Sequence, residues 1–184
     1  YLSLDSLDTA RPYIKRSKNL ADSLNHQYGA AYSEALTGNL FEKLKQYDEA
    51  LVHLTKANEM FQRLHLRRER SLFSIKVAEI QKNRGQLEIA HETLNEAEVI
   101  AKELESPILL RDIFKVRSEI YDEQRAIGLA YHYFKSYVQV RDSLLDEERL
   151  VTLAEIETRT EVREKEQEIA NLEEETASDR RLII

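Results

Sequence analysis

Residues 38–57, GNLFEKLKQYDEALVHLTKA, decide the fold. A glycine opens the stretch, an aromatic stands three residues on at Phe41, and Tyr47-Asp48-Glu49-Ala50 restarts a helical pattern. Leu54 and Ala57 then follow at helical spacing. The same skeleton returns at a fixed distance: Ala10, Ala50, Ala90 and Ala130 are each 40 residues apart. Three residues before that register stand Leu7, Tyr47, Leu87 and Ile127; four after it, Ile14, Leu54, Leu94 and Phe134. Ten after come Leu20, Met60, Ile100 and Val140, and fourteen after, Leu24, Leu64, Leu104 and Leu144. At 3.6 residues per turn these offsets share one helix face, so each repeat carries a second helix, B, with an apolar stripe.

The preceding helix, A, has columns of its own. Gly38, Ala78 and Ser118 are small, Leu40, Ile80 and Ile120 are apolar, and Phe41 and Tyr121 are aromatic, with Gln81 breaking that last column. Small residues at a crossing let two helices approach, and larger ones fill the space beside it. Gly85 suits a left-handed helix end. Ser106-Pro107 suits a helix start, with Ser as N-cap and Pro in the first turn. Gly29 is expected to separate the first two repeats. Pro12 implies that the opening B helix starts near Asp8.

The reading is therefore all-α. Residues 1–145 hold B1, A2/B2, A3/B3 and A4/B4, and residues 146–184 hold a charged C-terminal helix. Composition agrees, since four Gly and two Pro in 184 residues are too few for a turn-rich β fold. Residues 1–145 balance 21 acids with 21 bases, whereas 146–184 carry 13 acids against 6 bases, the whole of the −7 net charge. With no basic excess, a phosphate-tracking surface and hence a nucleic-acid partner are not expected. Without cysteine there is no disulfide framework and no thiolate metal site. Five scattered histidines, His26, His53, His65, His91 and His132, read as surface or groove residues with no Glu–His pairing on a shared face. No catalytic residue, metal site or cofactor is expected within the chain.

In the tail, Leu153, Ile156 and Thr160, then Ile169, Leu172 and Thr176, step three and four like a coiled-coil seam. The trios start sixteen residues apart, which is not a whole number of heptads and implies a phase break. Such a helix is marginal alone, so a homodimer through the tail is the expected partner, against a single helix folded back on the repeats. The cluster Arg67-Arg68-Glu69-Arg70 reads as a solvated turn between B2 and A3. Tyr131, Tyr133, Phe134 and Tyr137 read as core packing on the last B helix.

The small–aromatic–Ala pattern resembles tetratricopeptide (TPR) repeats, with a period of 40 in place of the common 34. That implies an antiparallel helix-pair superhelix with a long C-terminal coiled-coil helix. The tail, with EIET at 155–158 and KEQEIANL at 165–172, resembles the juxtamembrane helix of TPR-containing membrane signalling proteins of Bacteroidetes. This resemblance implies a ligand- or protein-binding sensor segment, relaying through the C-terminal helix to a histidine kinase or a LuxR-type regulator. It also implies a membrane span beyond Ile184, a periplasmic placement and an origin as a piece of a longer protein. Arg180 and Arg181 point instead to the cytoplasmic side. The alternatives are a soluble TPR adaptor and a peptide-responsive TPR transcriptional regulator.

By the same resemblance, the outward positions of the A helices line a concave groove for a protein or peptide. These are Tyr32, Ala35, Asn39, Glu42 and Lys43; then Leu72, Ile75, Glu79, Lys82 and Asn83; then Asp112, Lys115, Glu119, Asp122 and Glu123. Tyr32, Asn39, Lys43, Glu79, Lys82, Asn83, Lys115 and Glu119 are the candidate contacts.

Overall fold

Turn chemistry sets the architecture. In the computed structural model, which describes the backbone of residues 4–182 and the side chains of 10–167 and 169, the links between helices fall at 24–26, 44–46, 64–66, 84–86, 104–106 and 124–126. The middle residue of each link is left-handed: Asn25, Lys45, His65, Gly85, Glu105 and Arg125. The following amide reaches back to the carbonyl five residues earlier, as His26 N–H does to Ala21 (2.8 Å), and the left-handed residue bonds three back, as Asn25 does to Asp22 (3.1 Å). The same pair of bonds closes all six links, which satisfies carbonyls that a helix end leaves orphaned.

Five of these six residues are not glycine, although the left-handed region costs an L-residue about 1 kcal/mol. Lys45→Gly should therefore raise stability by about 0.5–1 kcal/mol in urea unfolding, and Gly85→Ala should lower it by about 1 kcal/mol. A Cβ at Gly85 meets nothing within 4 Å, so any loss there reports backbone conformation alone.

The seven helices among the described residues are α1 (Leu4–Ser23), α2 (Gln27–Lys43), α3 (Tyr47–Arg63), α4 (Arg67–Asn83), α5 (Leu87–Glu103), α6 (Pro107–Glu123) and α7 (Ile127–Leu182). α1 is the lone B helix, α2/α3 and α4/α5 are complete repeats, and α6 with the start of α7 forms the last. Pro12 is the ninth residue of α1, so the helix starts before Asp8 and carries the proline inside, on its exposed side. Gly29 does not separate repeats either. It lies in the first turn of α2, where its N–H donates to Nδ1 of the capping His26 (3.0 Å).

Within a repeat the small column works as spacing implies. A Cβ on Gly38 would fall 2.6 Å from Leu54 Cγ and 3.1 Å from the Ala50 carbonyl, so only glycine admits α3 at that distance. Two columns not picked out in the sequence are as deeply buried: Ala57 and Ala97, seven after the register, and Phe61 and Ala101, eleven after it. By contrast the leucine column lies at the margin of the buried face, where Leu64 packs against the core. Leu24, Leu64 and Leu104 are C-cap residues, and Leu24 and Leu104 are 68% and 40% exposed.

Gln81 does not break its column so much as rewrite it with its partner. Phe41 stacks on His53 (5.3 Å, 12°), Thr93 donates to Gln81 (2.9 Å), and Tyr121 stacks on Tyr133 (5.4 Å, 12°), all at one repeat position. α6 and α7 depart from the pattern: they do not pack backbone to backbone as α2/α3 and α4/α5 do, and Tyr133 stands between them. Tyr131 and Phe134 are therefore 67% and 52% exposed, not core.

The chain divides into two units, Tyr1–Val140 and Arg141–Ile184. The second, taken by itself, is one helix with exposed Leu150, Val151, Leu153, Ile156, Val162 and Ile169. Leu153, Ile156 and Thr160 mark one side. Val151, Thr158 and Val162 line a shallow slot on another, and heptad steps carry that stripe on to Ile169. The apolar residues of this unit thus fall on two faces with different phases. The Leu7 side chain, those of Leu172 and Thr176, and Ile183-Ile184 lie outside the described residues.

Candidate partner-binding surface

The A helices α2, α4 and α6 carry the expected groove residues, but not all of them face outward. Ala35 and Ile75 are core, at 0% and 3% exposure, because the face that meets the B helices is broader than TPR register implies. Tyr32 packs against Tyr28 (4.8 Å), Phe61 (5.4 Å) and Phe73 (6.1 Å), in the joint between two repeats. Burial, reinforced by the hydrogen bond with Tyr28, pushes its hydroxyl up to about 12. Asn39 is half-buried, and its Oδ1 has no hydrogen-bond partner. Lys43 and Asn83 are exposed at the last residues of α2 and α4.

The remaining four candidates are brought together as a charge ladder. Lys82 of α4 bridges to Glu119 of α6 (2.5 Å), which also stands 3.9 Å from Lys115. Glu79 pairs with Lys76 (2.5 Å). Burial works against the Lys76 ammonium, yet Glu79, with help from Glu42 and Asp112, raises its pKa. The face therefore offers paired charges of both signs, suited to exchanging ion pairs with a polar partner. Among the described residues no three His, Asp or Glu side chains are grouped to hold a metal ion.

The one buried carboxylate among the described residues escaped sequence reading. Glu34 on α2 is 2% exposed and accepts from Lys18 (2.8 Å), Lys56 (2.7 Å) and His53 Nδ1 (2.7 Å). Burial alone would raise its pKa, but the bonds from Lys18, Lys56 and His53 bring it down to about 2. His53 is thus neither scattered nor unpaired, since its Glu partner lies on the neighbouring helix. The signal was there: Lys18, Asn58 and Glu98 share one repeat position. Each crosses to the next A helix, to Glu34 (2.8 Å), Ser74 (3.2 Å) and Arg117 (2.9 Å) respectively. The three joints therefore carry a cation–anion pair, a neutral pair and an anion–cation pair. The basic cluster is not a solvated turn either, as Arg67 and Arg70 open α4 and pair with Glu103 and Glu96 of α5.

No family model and no curated protein matches this chain. Among solved structures it is similar to the apo form of RapI, with a TM-score of 0.52 at 16% identity over 78% of this chain. The chain spans 65% of the RapI chain. At that identity the likeness concerns the fold, which is a TPR-like helical repeat in both.

Proposed function

We propose that this chain is a protein-binding helical-repeat scaffold, not an enzyme, that dimerises through its C-terminal helix as the sensor segment of a membrane-bound two-component-type signalling protein. One observation carries the reading. Turns close the chain every 20 residues up to 124–126, yet at 144–146 the helix runs on to Leu182. The unit it enters has apolar residues on two faces and no second helix of its own. A lone helix of that kind is marginal in water and is stabilised by pairing, here with its copy. Stacked repeats with paired surface charges present a long face for protein partners.

Two tail faces supply two arrangements of a dimer, which partner binding at the repeats would bias through the shared helix. The membrane, periplasmic and kinase elements of this proposal rest on the resemblance of residues 155–172. No helix among the described residues is long and apolar enough to cross a membrane.

Sedimentation of the whole chain tests the dimer. A concentration-dependent dimer is expected, with Leu153→Glu/Ile156→Glu weakening it at least about tenfold through buried charge. A chain monomeric at about 100 µM, a concentration at which a productive coil of this length associates, would remove the dimer. Sequence following Ile184 tests the setting: an apolar stretch of about 20 residues is expected. A stop codon there leaves the soluble adaptor.

A further inference from the structure

The cleft between α6 and α7 is a place the repeat pattern prepares and the chain does not fill. α4 packs on α3, and α6 packs on both α5 and α4, so each A helix seats on the repeat before it. Between that cover and the close crossing of their own repeat's A helix, Ala50, Leu54, Ala90 and Leu94 are 0% exposed. At the same repeat positions in the last unit, Ala130 is only half-buried and Phe134 is 52% exposed, with Ile127 and Tyr131 exposed beside them. These four line a cleft of about 300 Å³ with Ser118, Glu119 and Asp122 of α6.

The chain does not turn back at 144–146 to supply a further A helix. Residue 145 is Leu, where the six turns have Asn, Lys, His, Gly, Glu or Arg in the left-handed position, a conformation that disfavours leucine. Charge gives the missing helix a chemistry. Lys82 reaches from α4 to Glu119, three positions earlier in the repeat frame of the next A helix. One repeat on, the position of Lys82 is Asp122, which therefore faces the slot where a cation completes the ladder.

We propose that this cleft seats an amphipathic helix of a partner protein, its apolar stripe against Phe134, Tyr131 and Ile127 and a Lys or Arg opposite Asp122. The inference rests on the partner-binding reading above and is independent of the dimer.

A peptide of residues 67–84, the α4 sequence with six basic and two acidic residues, supplies a probe because α4 fills the equivalent seat on α3. Labelled and titrated against the whole chain by fluorescence anisotropy, its Glu79→Lys version should bind about five- to tenfold tighter than the unaltered sequence. Asp122→Lys in the protein should reverse that preference, and Phe134→Glu should abolish binding of both. Circular dichroism checks that each variant keeps its helices, as expected at exposed positions. Absence of saturable binding, or binding indifferent to both protein variants, overturns the proposal. Binding lost on Lys82→Glu but not on Phe134→Glu places the partner on the A-helix face, which overturns the cleft and keeps partner binding. Loss of a dimer on Phe134→Glu would make the occupant a second copy and overturn the partner helix.

Discussion

Phe61→Ala should lower the stability of the repeat unit by about 3–5 kcal/mol, the largest loss expected from any single truncation here. Phe61 is 0% exposed and stacks on Phe73 with centroids 5.4 Å apart and planes 10° from parallel, while Tyr32 presents its edge to both. The three rings come from α3, α4 and α2, so they tie the second repeat to the third. At the same repeat position α1 and α5 have Ala21 and Ala101, and the helices there have closed on a small side chain. Around Phe61 they have closed on a ring, and removing it leaves a cavity that the neighbours cannot fill without shifting whole helices. In a stacked array each unit is held mainly by its neighbours, so the defect should also loosen coupling between repeats. Urea unfolding followed by circular dichroism would show a lower midpoint and a shallower slope. A Phe61/Phe73 double-mutant cycle should return a coupling of about 1 kcal/mol from the ring pair. A loss below about 1 kcal/mol would mean that the joint is held by something else.

What could be read from the sequence was whatever the repeat wrote more than once. Gly38, Ala78 and Ser118 announced a close crossing because the same kind of residue stood at one offset three times, and the Leu54 contact shows why. Ala97 was equally buried yet went unread as the repeat of Ala57, since Ser17 and Tyr137 at the ends of the array blur that column. The turns were nearly invisible because three of the six left-handed residues are Lys, Glu or Arg, which no turn rule marks. Gln81 looked like a defect because a column read alone hides compensation: only beside Thr93 does it become one more way to join two helices. Phe134 was misread for a different reason. Its column is core wherever another repeat follows, and nothing in the residue itself says that none does. The groove residues suffered likewise, since resemblance supplied an outward face while the actual packing drew Ala35, Ile75 and Tyr32 inward. The Glu34 cluster joins three helices, so its members lie 16, 19 and 22 residues from Glu34, where helical periodicity makes no connection.

That cluster makes the second large prediction, one of pH. A carboxyl whose pKa falls from 4.5 in the unfolded chain to about 2 in the folded one binds its proton more readily when unfolded. Its contribution is therefore fully present above about pH 5.5, declines as pH falls through 4.5 and is gone below about 2. A shift of this size corresponds to about 3 kcal/mol at 1.36 kcal/mol per unit, and less after allowance for water around Lys18 and Lys56, so about 2 kcal/mol is expected. Glu34→Gln should be less stable than the parent by about that amount at pH 7, with the gap closing as both are taken to pH 3 and below. The difference between the two is the quantity to measure, because 34 acidic residues make any absolute acid profile a sum over many groups. Lys18→Met and Lys56→Met should each move the Glu34 titration, followed by carboxyl NMR, back toward the ordinary range. Parallel stability profiles for parent and Glu34→Gln would show that Lys18, Lys56 and His53 find water as good a partner as Glu34. The joint between α1 and α2 would then be held by its apolar contacts and the Ser17–Ser33 hydrogen bond.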